Sequence, residues 1–590
     1  MRQFFKWVLA TMLGTILALF AMLFIVIMII AGIASSFNED QPEEIQEGSV
    51  LVIDLEDGIT DRASENPLEN FDFNSFSTRS KTGLNHLLAD LKKAAGDQKV
   101  KGIYLELSSL PAGMASVEEI RNAILDFNKS GKFSIAYGES FTQKSYYLAR
   151  ACKKVYLHPT GDLEWKGLGV EMMFFKGMLA KLEVEPEIIR HGKFKSAVEP
   201  FILDKMSPEN REQTRTYVNA IWNQMLNGVA AQRKIEANAL NEIASGYVIR
   251  NARVALEKKF VDKLVYKDEV LEEIRTLSGA KSSEKIAWVK MSKYHKTPST
   301  EKKSLSDPKI AVIYASGEIE SGEGSAEKIG SETSAKAIRK AREDDKIKAV
   351  VLRVNSPGGS ALASEVIWRE MNLTKKVKPV IVSMGDVAAS GGYYISAPAN
   401  KIYAEPNTIT GSIGVFGLLL NAEKMLNNKL GITIDTLTTN KLANFGSMAR
   451  PLSAEERGIL QESVEDIYSV FLQRVAEGRK LNTAAVDSIG QGRVWSGTDA
   501  KKIGLIDDFG GLNDAIAAAA KMAKTPKYRV VELPEQKEPF EELMKELSGD
   551  VETKYLSWKL GKHYQMLKSV ERIKNYNGIY TLMPSIPDFH

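Results

Sequence analysis

The chain contains one segment twice, PVIVSMGDVAASGGYY at residues 379–394 and KFSIAYGESFTQKSYY at residues 132–147. The two copies align without a gap at an offset of 247 residues. The later copy has a serine, Ser390, between small residues, whereas the earlier copy has Gln143 at that position. The sequence therefore predicts two halves with one fold, of which only the second kept the parts of an active site.

The repeat continues on both sides of this segment at the same offset. VKGIYLEL at 100–107 matches IKAVVLRV at 347–354, and VYLHP at 155–159 matches IYAEP at 402–406. Solenoid repeats are only about 20–50 residues long. A repeat that spans both of these matches therefore has copies the size of a domain.

Each half alternates short apolar runs with segments of helical periodicity. In the second half, the runs at 309–315, 349–354 and 379–384 are typical of buried strands. The segments at 332–345 and 360–376 between them are typical of helices. This alternation predicts an α/β architecture with parallel strand pairing in both halves.

Domain boundaries are predicted where the composition changes. We expect the first α/β domain at 48–294 and the second at 309–532. Residues 295–308, which include Lys, Ser, Thr and Pro, form the expected linker. The tail at 533–590 is charged and partly helical, and its sequence indicates no chemistry.

The first segment of the chain is strongly apolar. Residues 7–38 contain no charged side chain, and about 20 apolar residues are enough to cross a membrane. A cleaved signal peptide normally has an apolar region of only about 7–15 residues, so we expect a transmembrane anchor at 7–38. Arg2 and Lys6 precede it and acidic residues follow it, which predicts a cytoplasmic N-terminus at 1–6 and domains facing outward.

Composition excludes several classes of function. The net charge is only +3, with 78 basic and 75 acidic residues, which gives no indication of a nucleic-acid surface. The one cysteine, Cys152, cannot form a disulfide within the chain. Spacings of cysteine and histidine typical of metal sites are absent from the sequence, and we expect no cofactor.

Three glycine-bearing loops in the second half carry the candidate chemistry: NSPGGS at 355–360, GDVAASGGYY at 385–394 and TITGSIGVFG at 408–417. Any one of them could be a simple tight connection. The corresponding first-half segments read SSLPAGM and TQKSYY, so the loops together indicate an active site.

Within these loops we assign individual candidates. The amides of Gly358 and Gly359 could form an oxyanion hole, because no side chain blocks access to them. Ser390 is the candidate nucleophile, since its small neighbours let a substrate backbone approach. Ser412 lies in the third, glycine-flanked turn.

A serine nucleophile needs a base, and histidine is poorly placed for this role. None of the six histidines lies between His295 and His563, so a Ser/His/Asp triad would require His158 or His191 to reach across from the first half. A lysine is the alternative, provided that burial lowers its pKa from about 10.4. The first half offers HGKFKSAVEPF, residues 191–201, with Lys193 and Lys195.

The joint occurrence of four motifs resembles signal peptide peptidase A, also called protease IV, in its long two-domain form. These motifs are KSAVEPF at 195–201, NSPGG at 355–359, AASGGYY at 388–394 and TGSIGV at 410–415. The resemblance covers residues 48 to about 530 and the N-terminal anchor. It implies a tandem of domains related to Clp protease and crotonase, with a Ser/Lys dyad.

Carried over by residue, the resemblance implies a role for each candidate. Ser390 would be the nucleophile and Lys195 the general base, and Ser412 would orient the lysine amine. Gly359 with a neighbouring amide, such as that of Gly358, would form the oxyanion hole.

Lys441 is a rival for the role of base. Placing SPEN at 207–210 on SAEE at 453–456 puts Lys195 on Lys441, and short single-domain relatives take their base from about this position. We favour Lys195, because the whole KSAVEPF motif resembles the long form.

The resemblance also implies substrates and an assembly. Family members degrade cleaved signal peptides at the bacterial inner membrane, as single-pass proteins with their catalytic domains outside the cytoplasm. They form homo-oligomers, and the resemblance to the long form implies a tetramer. The alternatives are a crotonase-type enzyme acting on acyl thioesters and a non-catalytic membrane scaffold.

Overall fold

The computed structural model describes residues 2–39, 45–64, 71–72, 77–78, 81–281, 284–298, 304–325, 327–536 and 578–583. In the N-terminal helix, side chains are described for residues 3, 4, 6–22 and 24. The middle of the expected linker, at 299–303, and most of the charged tail therefore lie outside the described residues.

The first half is built from strands and helices in alternation. Its strands are β1 (Ser49–Ile53), β2 (Ile59–Thr60), β3 (Phe71–Asp72), β4 (Ser77–Thr78), β5 (Thr82–Gly83), β6 (Val100–Glu106), β7 (Phe133–Phe141), β8 (Lys154–Leu163), β9 (Glu185–Arg190), β10 (Lys263–Leu264) and β11 (Trp288–Lys290). Its helices are α1 (Arg2–Glu39), α2 (Leu84–Gly96), α3 (Met114–Asn128), α4 (Gln143–Ala149), α5 (Lys176–Leu182), α6 (Glu199–Ile202), α7 (Pro208–Arg233), α8 (Ala237–Ser245), α9 (Ala252–Glu257), α10 (Lys267–Ser278) and α11 (Met291–His295), with a 3-10 turn at Ser196–Val198.

The second half repeats this alternation. Its strands are β12 (Lys309–Ser316), β13 (Glu318–Glu320), β14 (Gly324–Ser325), β15 (Lys328–Gly330), β16 (Ile347–Ser356), β17 (Gly358–Ser360), β18 (Val380–Ala389), β19 (Lys401–Ala404), β20 (Ile409–Gly411), β21 (Phe416–Asn421), β22 (Val494–Ser496), β23 (Asp508–Phe509), β24 (Arg529–Leu533) and β25 (Gly578–Leu582). Its helices are α12 (Ser331–Glu343), α13 (Ala361–Lys375), α14 (Gly391–Ser396), α15 (Ala454–Arg479), α16 (Thr483–Ile489), α17 (Gly497–Lys502) and α18 (Leu512–Met522), with a π-helical turn at Met425–Lys429.

Each half has one main sheet, and the inner strands of the two sheets follow the same order, β7-β6-β1-β11 in the first and β18-β16-β12-β24 in the second. The first runs β10-β8-β7-β6-β1-β11 and the second β22-β20-β18-β16-β12-β24, with β19 also pairing with β18. All pairs in the first sheet are parallel, and in the second the exception is the antiparallel pair β20 and β22. The predicted α/β architecture is therefore confirmed.

The repeat is also visible in the long helices α7 and α15. Both have 26 residues, both begin after a serine N-cap, and both end at a lysine with left-handed backbone. Ser207 and Ser453 each accept a hydrogen bond from the backbone amide three residues later, which satisfies a donor that the helix leaves free. Matching caps at both ends give the two helices the same length.

A third sheet joins the two halves. Its order is β14-β15-β13-β17-β25-β21-β9, so that β9 of the first half pairs with β21 of the second. This pairing is antiparallel over six residues, from Glu185 opposite Asn421 to Arg190 opposite Phe416. The sheet matters for function because the backbone leaving β9 continues directly to Lys195.

A buried charged cluster also fixes one half against the other. The Arg353 guanidinium on β16 is 2.7 Å from both Asp61 and Glu119 of the first half, and all three side chains are almost fully buried. Nearby, Ser116 donates its backbone and hydroxyl hydrogens to Asp386 at 2.9 and 2.7 Å. Such buried contacts depend on precise geometry, so they hold the two halves in one relative position.

The apolar segment expected at 7–38 falls in α1. Its described large apolar side chains, among them Trp7, Leu13 and Phe20, are exposed. Over the residues whose placement the structure describes, no helix is both long and apolar enough to cross a membrane.

Candidate functional site

Three loops meet at the carboxyl ends of neighbouring parallel strands. Ser356 of β16 is opposite Ala388 of β18, and Ala389 is opposite Gly411 of β20. Because these strands are adjacent, the loops that follow them lie at one edge of the sheet. This edge is where α/β proteins commonly place their active sites.

Ser390 lies at the turn from β18 into α14. Its backbone has φ 55° and ψ −115°, a combination that is uncommon for residues other than glycine. Two hydrogen bonds hold it there, from the Ser390 amide to the Gly411 carbonyl at 2.7 Å and from the Tyr394 amide to the Ser390 carbonyl at 2.8 Å. The strained turn aims the hydroxyl out of the strand.

Lys195 reaches this serine from the other half of the chain. The pairing of β9 with β21 is extended by a hydrogen bond from the His191 amide to the Val415 carbonyl at 3.2 Å. The backbone then turns, and the lysine side chain enters the space between Ser390 and Ser412. The site is thus assembled from both halves.

The three side chains are in direct contact and are fully buried. The Lys195 Nζ lies 2.9 Å from the Ser390 Oγ and 3.1 Å from the Ser412 Oγ, and it donates to the Ser412 carbonyl at 3.3 Å. The carbonyl can only accept, so one N–H of the amine must point toward it. This leaves the nitrogen lone pair of a neutral amine free to face the Ser390 hydroxyl.

The charge state of Lys195 follows from its burial. Loss of hydration lowers the pKa of its amine well below the usual value, and no carboxylate contributes an opposing effect. A neutral amine near neutral pH can accept a proton from a hydroxyl. The arrangement is therefore chemically able to activate a serine without histidine.

Two supports of Lys195 were not predicted from the sequence. A Cβ atom on Gly492 would lie 2.6 Å from the Lys195 Cβ, so only glycine leaves room for the lysine. On α7, the Gln213 amide donates to the Phe194 carbonyl at 3.1 Å and to the Ser196 hydroxyl at 2.8 Å, and its oxygen accepts from the Val494 amide. Both residues are remote from Lys195 in sequence, so no local motif points to them.

The loop with Gly358 and Gly359 lies beside the serine. Both glycines have positive φ, +102° and +156°, and a Cβ atom on Gly358 would lie 3.1 Å from the Ser390 Cβ. The Gly358 amide donates to the Ser356 hydroxyl at 3.1 Å. For the Gly358 amide to bind an oxyanion, its hydrogen bond to the Ser356 hydroxyl would have to break. The role of both amides stays a prediction.

A strand from the tail covers this loop. β25 pairs antiparallel with β17, with Leu582 opposite Gly358 and Thr581 opposite Gly359, and on its other side with β21. The Met583 amide donates to the Pro357 carbonyl at 2.8 Å. This strand was not predicted from the sequence, since the tail has no pattern that specifies a pairing partner.

The structure places the remaining candidates away from Ser390. Lys441 is largely exposed and forms an ion pair with Glu455. The His191 ring bonds to Glu465 and stacks on Tyr468, while the His158 ring contacts Thr160 and Tyr266. In the described ranges, no group of three or more His, Cys, Asp or Glu side chains is placed to hold a metal ion.

The equivalent position in the first half is filled by a structural side chain. Gln143 is buried, donates to the Gly167 carbonyl at 2.9 Å and accepts from the amides of Lys166 and Gly167 at 2.9 Å. These bonds close the loop where the second half has its nucleophile. The first half therefore supplies Lys195 and lacks a serine at its own site.

Comparison with known proteins agrees with this division into two similar halves. The model of peptidase family S49 matches residues 126–281 and again 372–525, and a Clp protease model matches 309–410. Protease 4 of Salmonella typhi is 35% identical over 570 residues, covering 93% of this chain and 90% of the relative.

Two further relatives give similar values. Protease 4 of Haemophilus influenzae is 38% identical over 442 residues, 73% of this chain and 72% of that protein. The chloroplastic serine protease SPPA of Arabidopsis thaliana is 36% identical over 520 residues, 86% of this chain and 74% of that protein.

The pKa shift of Lys195 predicts a pH dependence for Ser390. As pH rises through the lowered pKa, the amine becomes neutral, so the rate at which a phosphonate probe labels Ser390 should rise and level off well below pH 10.5. Between the lowered pKa of Lys195 in the folded protein and its ordinary pKa in the unfolded chain, the unfolded chain binds a proton that the folded chain does not. The free energy of unfolding should therefore rise with pH in this range. Lys195→Met should abolish both trends, measured by labelling rate and thermal unfolding midpoint; a labelling rate that follows the ordinary lysine pKa would contradict the assignment.

The close approach of Gly492 predicts a second effect. Gly492→Ala should displace Lys195 and reduce the labelling rate about 100-fold, since a misplacement near 1 Å costs about this much. Gly504→Ala is the matched control, because Gly504 also has positive φ but no atom within 4 Å of an added Cβ. Equal losses in both variants would show that backbone strain, rather than the position of Lys195, is responsible.

Proposed function

Because the chain belongs to peptidase family S49 and is a serine-type protease, we propose that it is a membrane-anchored endopeptidase with a Ser390/Lys195 dyad that degrades cleaved signal peptides. The observation that carries the dyad is the 2.9 Å separation between the Lys195 Nζ and the Ser390 Oγ in a fully buried site. Lys195 rather than Lys441 is the base, because Lys441 lies in solvent beside Glu455.

The proposed reaction is acyl transfer. Neutral Lys195 takes the proton of the Ser390 hydroxyl as the oxygen attacks the peptide carbonyl carbon, and Ser412 keeps the amine in position. Amides of the Gly358 and Gly359 loop stabilise the negative oxygen of the tetrahedral intermediate. The lysine ammonium then gives its proton to the leaving amine, which breaks the C–N bond and leaves an ester on Ser390.

The second half of the reaction restores the enzyme. A water molecule gives a proton to Lys195 while its oxygen attacks the ester carbon. In the collapse of this second intermediate, the lysine ammonium gives its proton to the Ser390 oxygen and the new C-terminus leaves as a carboxylic acid, which then ionises in water. The reaction as written balances with water as the only co-reactant.

The position of β25 supports an extended apolar peptide as substrate. β25 occupies the gap between β17 and β21, where its backbone makes antiparallel pairs on both sides. Leu582 of β25 and the following Met583 are buried, Leu582 against Phe416 and Leu418. A peptide bound by strand addition gains backbone hydrogen bonds and pockets for alternate side chains, so an apolar chain in the place of β25 would pass beside Ser390.

The proposed anchor is consistent with a membrane-derived substrate. The charge-free stretch at 7–38 is longer than a bilayer requires, and Arg2 and Lys6 before it favour a cytoplasmic N-terminus. In this orientation the two domains face the periplasm of a bacterial inner membrane. Signal peptides remain in that membrane after cleavage and are apolar and extended when unfolded.

The proposed roles predict the behaviour of three variants. Lys195→Ala should lower cleavage of an apolar signal-peptide-like substrate by about 10²–10⁴-fold, the usual contribution of a general base. Ser390→Ala should lose phosphonate labelling and cleavage, whereas Lys441→Ala should keep both. Activity retained in Lys195→Ala and lost in Lys441→Ala would show that Lys441 of the second half is the base. If the phosphonate probe did not label the parent protein, the chain would be a non-catalytic scaffold.

The occupied groove predicts an effect of the tail. Removing residues 578–590 should raise kcat/KM for a peptide substrate, because β25 lowers the fraction of sites open to substrate. Removing only 584–590 keeps β25 and is the matched control. A kcat/KM in the longer deletion that equals or falls below that of the control would exclude β25 as an occupant of the substrate groove.

A further inference from the structure

Lys195 begins a short turn whose far end is a buried carboxylate. The 3-10 turn at Ser196–Val198 leads into α6, and Glu199 is the first residue of that helix. Glu199 is fully buried, and uncharged groups donate to its carboxylate. A carboxylate is stable away from water only where hydrogen bonds replace its hydration. Its donors therefore show what this carboxylate holds together.

The donors come from the start of α7. The Ser207 hydroxyl donates to one carboxylate oxygen at 2.6 Å, and the Ser207 backbone amide donates to the other at 3.2 Å. The Asn210 side-chain amide donates to the second oxygen at 2.9 Å. Because Ser207 is the N-cap of α7, the carboxylate lies at the positive end of the helix dipole. These bonds fix the end of the turn to the start of the helix.

The same hydrogen bonds continue to the residues on both sides of Lys195. The Asn210 side-chain oxygen accepts from the Gln213 side-chain amide at 3.3 Å. That amide also donates to the Phe194 carbonyl and to the Ser196 hydroxyl. The four side chains that make these bonds, called the Glu199 network below, are Glu199, Ser207, Asn210 and Gln213. The network holds the backbone before and after the lysine.

The equivalent positions of the second half carry other residues. In the alignment that places Lys195 on Lys441, three members of the network are replaced by side chains that cannot make the same bonds. The replacements are Phe445 for Glu199, Glu456 for Asn210 and Ile459 for Gln213. Phe445 and Ile459 are 40% and 38% exposed, and the Lys441 side chain is 79% exposed. Where the network is replaced, the lysine lies in solvent.

Formation of the long helix does not explain the buried carboxylate. α15 has the same length and the same kind of serine cap as α7. Glu456 completes its first turn by accepting from the Ser453 amide and from Arg450. The cap and the helix thus form in the second half, although Phe445 supplies no carboxylate. The distinctive effect of Glu199 is therefore on the turn that carries the lysine.

We propose that Glu199 is a positioning residue for Lys195. Through the Glu199 network, its carboxylate holds the turn at 194–199 so that the lysine amine stays buried and 2.9 Å from the Ser390 hydroxyl. Glu199 acts through the backbone of the turn and takes no part in proton transfer. This inference rests on the proposed Ser390/Lys195 dyad.

Position and charge predict opposite effects when Glu199 is neutralised. Burial lowers the pKa of the Lys195 amine well below its usual value. If Glu199 acts through position, its loss lets water reach the amine, and the pKa of Lys195 rises toward the ordinary value. If the carboxylate acted through its negative charge, its loss would lower that pKa further. The direction of the shift separates the two explanations.

The pH profile of Ser390 labelling by a phosphonate probe measures this direction in the full chain in detergent. Glu199→Gln keeps the size of the side chain but replaces one accepting oxygen with an NH₂ group, which faces donors of α7. The pH of half-maximal labelling should rise by about one unit, and the labelling rate at lower pH should fall about 10-fold. Glu456→Gln is the matched control, because Glu456 is a buried carboxylate at the start of α15. It should keep the parental profile.

A pair of serine variants tests the network a second time, and it decides the question if the Glu199→Gln protein does not fold. Ser207→Ala and Ser453→Ala each remove the N-cap of a 26-residue helix, so both should lower the thermal unfolding midpoint to a similar extent. Ser207 also donates to Glu199, whereas Ser453 has Phe445 at the equivalent position. Ser207→Ala should therefore move the labelling profile to higher pH, and Ser453→Ala should leave it unchanged.

Other results overturn the proposal at a known level. A Glu199→Gln profile that equals the parental one, or that shifts to lower pH, would exclude positioning by this carboxylate. Equal shifts in the matched variants of the two halves would assign the effect to lost helix stability. A Lys195→Met protein that is labelled with the parental pH profile would exclude the dyad itself. Labelling lost in Lys195→Met but parental in Glu199→Gln would exclude the positioning role and leave the dyad in place.

Discussion

The burial of an uncompensated lysine amine is the constraint on which the site depends. Moving a charged amine out of water costs several kcal/mol, and this cost lowers the pKa of the Lys195 amine well below its usual value. A neutral amine is useful only if its lone pair meets the serine hydroxyl. The hydroxyl and the carbonyl of Ser412 accept hydrogen bonds from the amine, so one short turn orients the amine toward Ser390.

Duplication explains how the chain meets this constraint. Here the lysine arrives from the other half, along the β9 and β21 pairing, and the Arg353 cluster fixes the two halves against each other. The first half no longer needs a nucleophile, and Gln143 closes the corresponding loop with three hydrogen bonds.

The alternation of apolar runs and helical segments predicted the α/β repeat, and the resemblance to signal peptide peptidase A implied the grouping of Ser390, Lys195 and Ser412. Lys441 stayed a rival base, because it aligns with Lys195 between the two halves and short relatives take their base from about this position. Its exposed position beside Glu455 depends on tertiary structure. Gln213, Gly492 and β25 could not be found from sequence, because each acts through a contact made by a distant part of the chain. The domain boundaries, the membrane anchor and the signal-peptide substrates stay predictions.

The charge of the Lys195 amine is the most direct test of this account. Carbon-13 labelling of lysine at Cε, with the Lys195 signal assigned by its absence in Lys195→Met protein, would report by NMR whether the amine is neutral or charged. The account predicts a neutral amine at pH 7, with protonation only at lower pH. An ammonium signal for Lys195 at pH 7 would contradict it and remove the basis for a Ser/Lys dyad.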